Sequence, residues 1–446
     1  VSTGYDVDNS ALFEADDSSY IRFTNISTYA SSARKKKFSM SMWFKLAEVG
    51  KQQVLFSTAA NGYLLIQATG VMKWQQTYSS VQKTLNTNRV FRDTGAWYHV
   101  LIVVDTAQGT EADRTKLYVN NEQITDFSSA TYPSQNDEAQ NVYEQHNYIG
   151  TWGGGDHVNT GLSGYVSEFY FLSEIAASPT DFGEYDEDSG IWKPKEYTAE
   201  TITSPSSYLN FSNASNLAEA TSGQDWASGN VEDAEQATDT PTNNFATMNV
   251  LWGNDNMPLM SEGATEFGNN VSAYRYAVAT MGVTSGKWYW EIKPTVNGNT
   301  LVSGAGIASN QNTLFFYDET GNFVYHYDGD RYVNGTAVSS YGTAWSTNDI
   351  IGFAYDADNW TLTCYVNNSS QGNLLASQTD LSSELFIPYV YSFGTHTYQC
   401  NFGGYTTMSN THTNTDENGY GSFVYAPPSG YYALCGKNLA EFGGTA

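Results

Sequence analysis

Cysteine is almost missing from this chain: Cys364, Cys400 and Cys435 are the only three in 446 residues. An odd number with no C-x-x-C spacing excludes a disulfide framework and a cysteine-based zinc site as organising elements. Basic residues are scarce as well, with 20 Lys and Arg against 47 Asp and Glu. The resulting net charge of −27 repels nucleic acid and anionic membranes, so neither is an expected partner. No apolar run approaches the roughly 18 residues of a membrane span, and the N-terminus lacks the basic and apolar regions of a signal peptide. The expectation is a chain that neither inserts into a membrane nor leaves a cell through a signal peptide. Leu, Ala, Glu and Lys are too few for a helical protein. No G-x-S-x-G nucleophile elbow occurs, and His99, His157 and His326 have no Ser or Cys nucleophile motif near them. No D-x-[DN]-x-[DN]-G calcium loop is present either.

What is abundant points to strands and turns: 33 Tyr, 22 Phe and 11 Trp, together with 39 Gly. Single hydrophobic cores stop growing at about 250 to 300 residues, so the length reads as two β domains of about 200 residues each. The expected fold class is all-β, two antiparallel β-sandwich domains of jelly-roll type in tandem. Residues 1–200 and 251–446 are read as the sandwiches, and 201–250 as an ordered connector that lies along one of them.

The stretch Gly282–Ile292, Gly-Val-Thr-Ser-Gly-Lys-Trp-Tyr-Trp-Glu-Ile, organises the second domain. Trp288, Trp290 and Ile292 fall on one face at period two and Tyr289 and Glu291 on the other, which predicts a strand with one buried and one wetted face. Asp349-Ile-Ile-Gly-Phe-Ala-Tyr-Asp and Thr361-Leu-Thr-Cys-Tyr-Val-Asn-Asn follow, around a turn at Asp356–Asn359. With Asn401-Phe-Gly-Gly and the closing Phe423-Val-Tyr-Ala-Pro-Pro-Ser-Gly-Tyr-Tyr-Ala-Leu-Cys, these words resemble the SPRY domain, a bent β-sandwich that opens on such a strand.

In the first domain Phe38, Met40, Met42 and Phe44 alternate with Ser39, Ser41, Trp43 and Lys45, the pattern of a core strand. Further strands are predicted at 53–57, 63–67, 97–105, 116–120 and 164–172, with Asn120-Asn121 as a hairpin turn. Ser41-Met-Trp-Phe-Lys, Phe91-Arg-Asp-Thr-Gly-Ala-Trp-Tyr-His-Val, Lys116-Leu-Tyr-Val-Asn-Asn, Asn147-Tyr-Ile-Gly and Gly161-Leu-Ser-Gly-Tyr-Val-Ser-Glu-Phe-Tyr-Phe resemble the concanavalin A-like, laminin-G-type jelly roll. More narrowly they are similar to its version in bacteriophage structural proteins, where Asp181-Phe-Gly-Glu and Gly190-Ile-Trp-Lys-Pro-Lys-Glu-Tyr follow the last strand. Ser207-Tyr-Leu-Asn-Phe-Ser and Asp239-Thr-Pro-Thr-Asn-Asn-Phe resemble the segment joining the two domain types in that family.

Rigid aromatic rings flanked by Asn, Asp and Gly serve sugar stacking or protein interfaces. The expected ligand-binding residues are therefore the loop aromatics and histidine Trp152, His157, Tyr325, Tyr327, Tyr332 and Trp345, with packing beneath long loops as the alternative. Asp16, Asp17 and Asp156 sit in turns as metal ligands would, and the laminin-G resemblance implies Ca2+ near the rim. Aspartates capping their own turns are the other reading, and no cofactor is required. Glu184-Tyr-Asp186-Glu-Asp188 follows the final strand and reads as a solvated turn, not as a glycanase acid pair. Arg34–Lys37, the one basic cluster, reads as a dock for an acidic neighbour or a guard against edge pairing.

Two readings of function come out of this. The resemblance implies a non-enzymatic virion surface protein, a fibre or adhesin binding host-surface glycans, in contact with other virion proteins and in multiple copies. The alternative is a capsid-decoration or head-fibre module touching only virion proteins, which the direct start on the first sandwich favours; a glycan hydrolase is a weaker third.

Overall fold

Alternating apolar residues leave each strand with a face that must be covered, and pairs of sheets are the means. The computed structural model describes residues 4–23, 27–59, 62–143, 145–153, 157–187, 189–226, 235–252, 258–297, 302–310, 319–375 and 384–443. It divides into two units, residues 1–242 and 243–446. Each is an antiparallel β-sandwich.

In the first unit, nine strands of the described residues form one sheet. Its order is Glu122–Gln123, Thr115–Val119, Tyr98–Asp105, Lys37–Leu46, Gly164–Ser173, Ser10–Phe13 and Glu235–Ala237, with Ser207–Leu209 also on Gly164–Ser173 and Ser222–Gly223 beyond it. Seven strands form the other, in the order Phe127–Ala130, Val81–Val90, Val71–Tyr78, Gly62–Ile66, Gln53–Thr58, Asn147–Ile149 and Ile21–Phe23. Phe38, Met40, Met42 and Phe44 meet Phe56, Leu64, Trp74 and Leu85 in the core between them. Asn120 and Asn121 both take the left-handed backbone that a two-residue hairpin turn needs. Residues 201–242 belong to this unit, through strands Ser207–Leu209, Ser222–Gly223 and Glu235–Ala237.

The second unit pairs an eight-stranded with a six-stranded sheet among the described residues. The first runs Leu259–Ser261, Glu266–Asn269, His396–Asn401, Lys287–Asn297, Ile351–Asp356, Thr361–Val366, Ser369–Asn373, and Tyr432–Ala433 joins Lys287–Asn297 in parallel. The second runs Tyr274–Val278, Phe386–Phe393, Val302–Ser309, Asn322–His326, Arg331–Val333, Thr336–Val338. Trp288 and Trp290 are core residues, Trp290 stacking on Phe353 at 5.5 Å.

The wetted face predicted for Tyr289 and Glu291 is not there. Both are buried, because the chain beyond Asn401 returns over this side of the sheet and sets Phe423, Ala433 and Cys435 against Tyr289 and Ala354. The first unit repeats the device: Phe182, Tyr197 and Tyr208 lie on the outer face of the nine-stranded sheet, against Leu101, Val103, Tyr170 and Leu172. Arg34–Lys36 are part of a short helix, Ser32–Lys36, and reach acidic partners of the same unit: Arg34 meets Glu174 and Lys35 meets Glu138, each at 3.0 Å.

Candidate functional site

The residues singled out in the sequence do not assemble into one site. Tyr325 and Trp345 are corrected to core residues, at 0% and 3% exposed. Tyr325 points inward from strand Asn322–His326 because its alternation sets it with Phe323 on the packed side, and its hydroxyl donates to the Thr343 carbonyl. Trp345 packs beside Tyr325 and Tyr398. Tyr327 and Tyr332 are half-buried and flank His326, whose Nδ1 stands 2.7 Å from Asp328. His157 begins the short helix His157–Thr160, while Asp156 lies outside the described residues. Asp16 and Asp17 are exposed in a turn, and no group of three His, Cys, Asp or Glu able to hold a metal occurs among the described residues. Asp186 is in the hairpin between Gly183–Tyr185 and Trp192–Pro194, where the Ser189 N–H and Lys193 hold its carboxyl well below the usual range.

Trp152 leads to a surface that single strands did not reveal. The ladder sets Arg22, Tyr148, Ser57, Tyr63, Gln75 and Thr84 in one row across the outer face of the seven-stranded sheet. Val54, Leu65, Lys73, Asn86 and Ser129 form the next row. The loop at 151–153 folds over the middle, with Ser57 Oγ donating to the Thr151 carbonyl and the Trp152 ring 4.9 Å from that of Tyr63. Tyr63 is held from the other side: its hydroxyl donates to Gln75 Oε1 at 2.7 Å and accepts from Lys73 Nζ at 3.0 Å. Beyond Lys73 the face opens onto Asn86, which donates to Ser129 Oγ, and Thr84. Ser57, Tyr63 and Gln75 are buried beneath this loop, so what reaches the surface is the Trp152 ring beside Lys73, Thr84, Asn86 and Ser129. Among the described residues neither row carries a carboxylate of the kind that glycoside hydrolysis pairs.

The carboxylates that are buried serve the covering layers instead. Glu168, 3% exposed, takes a left-handed backbone (φ 49°) at a bulge in Gly164–Ser173. Its oxygens accept from the hydroxyls of Tyr5 at 2.9 Å, Tyr170 at 3.1 Å and Tyr208 at 2.8 Å. Burial pushes its pKa up to about 7, against the pull of those three donors. Glu291 accepts from the backbone N–H groups of Val424 and Tyr425, from the Asn401 amide and from the Tyr289 hydroxyl. Burial raises it as well.

Two more polar centres occupy the outer face of the nine-stranded sheet. His99 is held neutral, burial pushing it down to about 3. The Trp192 indole donates to its Nδ1 at 3.3 Å, so Nε2 carries the proton and donates to Ser41 Oγ at 2.8 Å. Lys45 Nζ lies 2.7 Å from Asp239 Oδ2, both side chains being fully buried. Trp97 Nε1 donates to Asp239 Oδ1 at 3.0 Å, and Ser10 Oγ to the Asp239 carbonyl. None of these positions could be read as a site in sequence, because every partner is distant along the chain.

Residues 16–178 match the concanavalin A-like lectin/glucanases superfamily, which is most of the first unit and less than half of the chain. Among solved structures, the SPRY domain of human HERC1 is 18% identical with a TM-score of 0.30, covering 34% of this chain and 96% of that one. A proposed carbohydrate-binding protein from Bacteroides ovatus is 15% identical with a TM-score of 0.30, covering 39% of this chain and 45% of that one. The heptameric SAP-like pentraxin of Limulus polyphemus is 16% identical with a TM-score of 0.27, covering 38% and 77%. No curated protein matches the chain. At these identities and scores nothing about function is carried over from the solved structures.

Proposed function

We propose that this chain is a non-enzymatic glycan-binding protein on the surface of a bacteriophage particle, a fibre or adhesin present in several copies and seated on other virion proteins. The observation that carries the glycan reading is the outer face of the seven-stranded sheet. Trp152, half-buried and backed by the buried Tyr63, supplies an apolar ring beside Lys73, Asn86 and Ser129, the combination that stacks on a sugar ring and hydrogen-bonds its hydroxyls. The lectin-type match over residues 16–178 supports it, and the phage setting rests on the sequence resemblance alone. One ring and a few polar groups give weak single contacts, which display in many copies would multiply. No step of this reading calls on a cation. Nucleic acid has no part in it, since the net charge is −27, and no described helix is long and apolar enough to cross a bilayer.

Glycan-array binding of the full chain tests the reading. Signal above background is expected, falling at least about tenfold for Trp152→Ala and Asn86→Ala with melting temperature preserved, as loss of a stacking or hydrogen-bonding contact costs about 1.4 kcal/mol or more. Absence of any glycan signal, with extensive contact of the chain on a capsid shell, would hand the case to the decoration reading.

A further inference from the structure

The glycan reading leaves the Lys45–Asp239 pair without a role. Lys45 lies on strand Lys37–Leu46 opposite Tyr165, and Asp239 follows strand Glu235–Ala237, 194 residues away. The Lys45 ammonium stands 5.8 Å from the centre of the Tyr165 ring and the Asp239 carboxyl accepts from Trp97. Tyr165 and Trp97 are themselves buried. A fully buried ion pair is a costly way to tie two segments, because removing two charges from water can exceed their mutual attraction. An amide in the same place would carry no charge and would keep Oδ1 as the acceptor of the Trp97 N–H.

We propose that Lys45 and Asp239 condense into an intramolecular isopeptide bond. Transfer of one proton from Nζ to Oδ2 inside the pair gives an amine and a carboxylic acid. The Nζ lone pair then attacks Cγ, and the π pair of the Cγ–Oδ1 bond moves onto Oδ1, where the Trp97 Nε1–H, 3.0 Å away, stabilises it. As the carbonyl re-forms, Oδ2 departs as one water, carrying its own proton and a second from Nζ. The product is an Nζ–Cγ amide with one hydrogen on nitrogen. No electrons change hands and no outside reagent is consumed. The fold supplies the proximity, with the two groups already in contact at 2.7 Å, and a water-poor pocket that slows the reverse hydrolysis. The bond would fasten the segment after Glu235–Ala237 to the middle of the nine-stranded sheet, independently of any ligand.

The intact mass of the folded full chain decides it. The expected value is the sequence mass less one water, with tandem mass spectrometry of a digest giving a branched peptide that joins the Lys45 and Asp239 fragments. Lys45→Arg and Asp239→Ala should each restore the full mass of their own sequences. The wild-type measurement stands even where a variant fails to fold. Wild-type protein at full sequence mass after prolonged incubation overturns the proposal, as does a water loss that maps to any other residue.

Discussion

The two sandwiches solve one problem with different chemistry. Each covers the outer face of its larger sheet with a segment from later in the chain, and each fastens that segment to a buried glutamate. In the second unit the donors to Glu291 are mainly fixed: two backbone N–H groups and an amide, with one phenol. In the first unit the donors to Glu168 among the described residues are three phenols, brought by the N-terminal segment, its own strand and strand Ser207–Leu209. Backbone donors belong to the fold itself and are stranded if the acceptor goes. Phenols can be removed one by one, and the carboxyl they surround titrates near neutrality. The second clasp is therefore the stiffer and the first the adjustable one.

The largest effect should come from breaking the stiff clasp. Glu291→Leu takes the acceptor from the part-buried Val424 and Tyr425 N–H groups and from one N–H of the buried Asn401 amide, which keeps its bond to the Ser422 carbonyl, at roughly 1 to 3 kcal/mol each. A loss of about 5 kcal/mol is expected in urea unfolding of the full chain. A loss under about 1 kcal/mol, within the range of ordinary surface changes, would mean that the segment 403–435 is held by apolar packing alone.

Titration probes the adjustable clasp next. The Glu168 pKa is raised from 4.5 to about 7, so the folded state holds this proton more tightly than the unfolded chain. Its contribution is fully present below pH 4.5 and is lost as the pH rises through 7, an effect of about 3 kcal/mol. His99 acts in the opposite sense: its pKa is lowered from 6.5 to about 3, so its contribution is complete above pH 6.5 and disappears toward pH 3. The quantity to measure is accordingly the stability difference between wild type and Glu168→Gln at pH 5 and pH 8. It should shrink or reverse at pH 8, and a difference independent of pH would show that Glu168 does not titrate in this window.

Much of this comparison was beyond the reach of the sequence, and the reason is the same in both units. Period-two alternation reports which side of a strand faces the opposing sheet, so Phe38–Phe44 and Trp288–Trp290 could be placed at once. It says nothing about a third layer, and Glu291 read as wetted because the residues that bury it lie more than a hundred positions on. Alternation also carried the correction for Tyr325, which shares a side with Phe323, but its Tyr, Asp and Gly neighbours suggested a loop. Trp152 was legible as a candidate from its Gly-rich loop. Its partner Tyr63 was not, since only strand register places Tyr63, Gln75 and Thr84 in one row.

The smallest effects test whether the phenol clasp is additive. The Tyr208 hydroxyl lies within hydrogen-bonding distance of both Glu168 oxygens and 2.9 Å from the Tyr5 hydroxyl, so the three groups form one network. Removing a single hydroxyl leaves the other two phenols on the carboxyl. Tyr208→Phe and Tyr5→Phe should each cost about 1 kcal/mol, the net value of one such bond. The Tyr208 and Tyr5 hydrogen bonds both lower the Glu168 pKa, so each substitution should move its titration upward, extending the window in which the protonated form prevails. In the double variant the last described donor is Tyr170, and the carboxyl is better satisfied protonated than ionised. The combined loss should thus differ from the sum of the single losses by at least about 0.5 kcal/mol, the coupling found between members of one network. Strict additivity in a double-mutant cycle at pH 8 would mean that Tyr5 and Tyr208 fasten their segments separately, and that the adjustable clasp is two independent contacts.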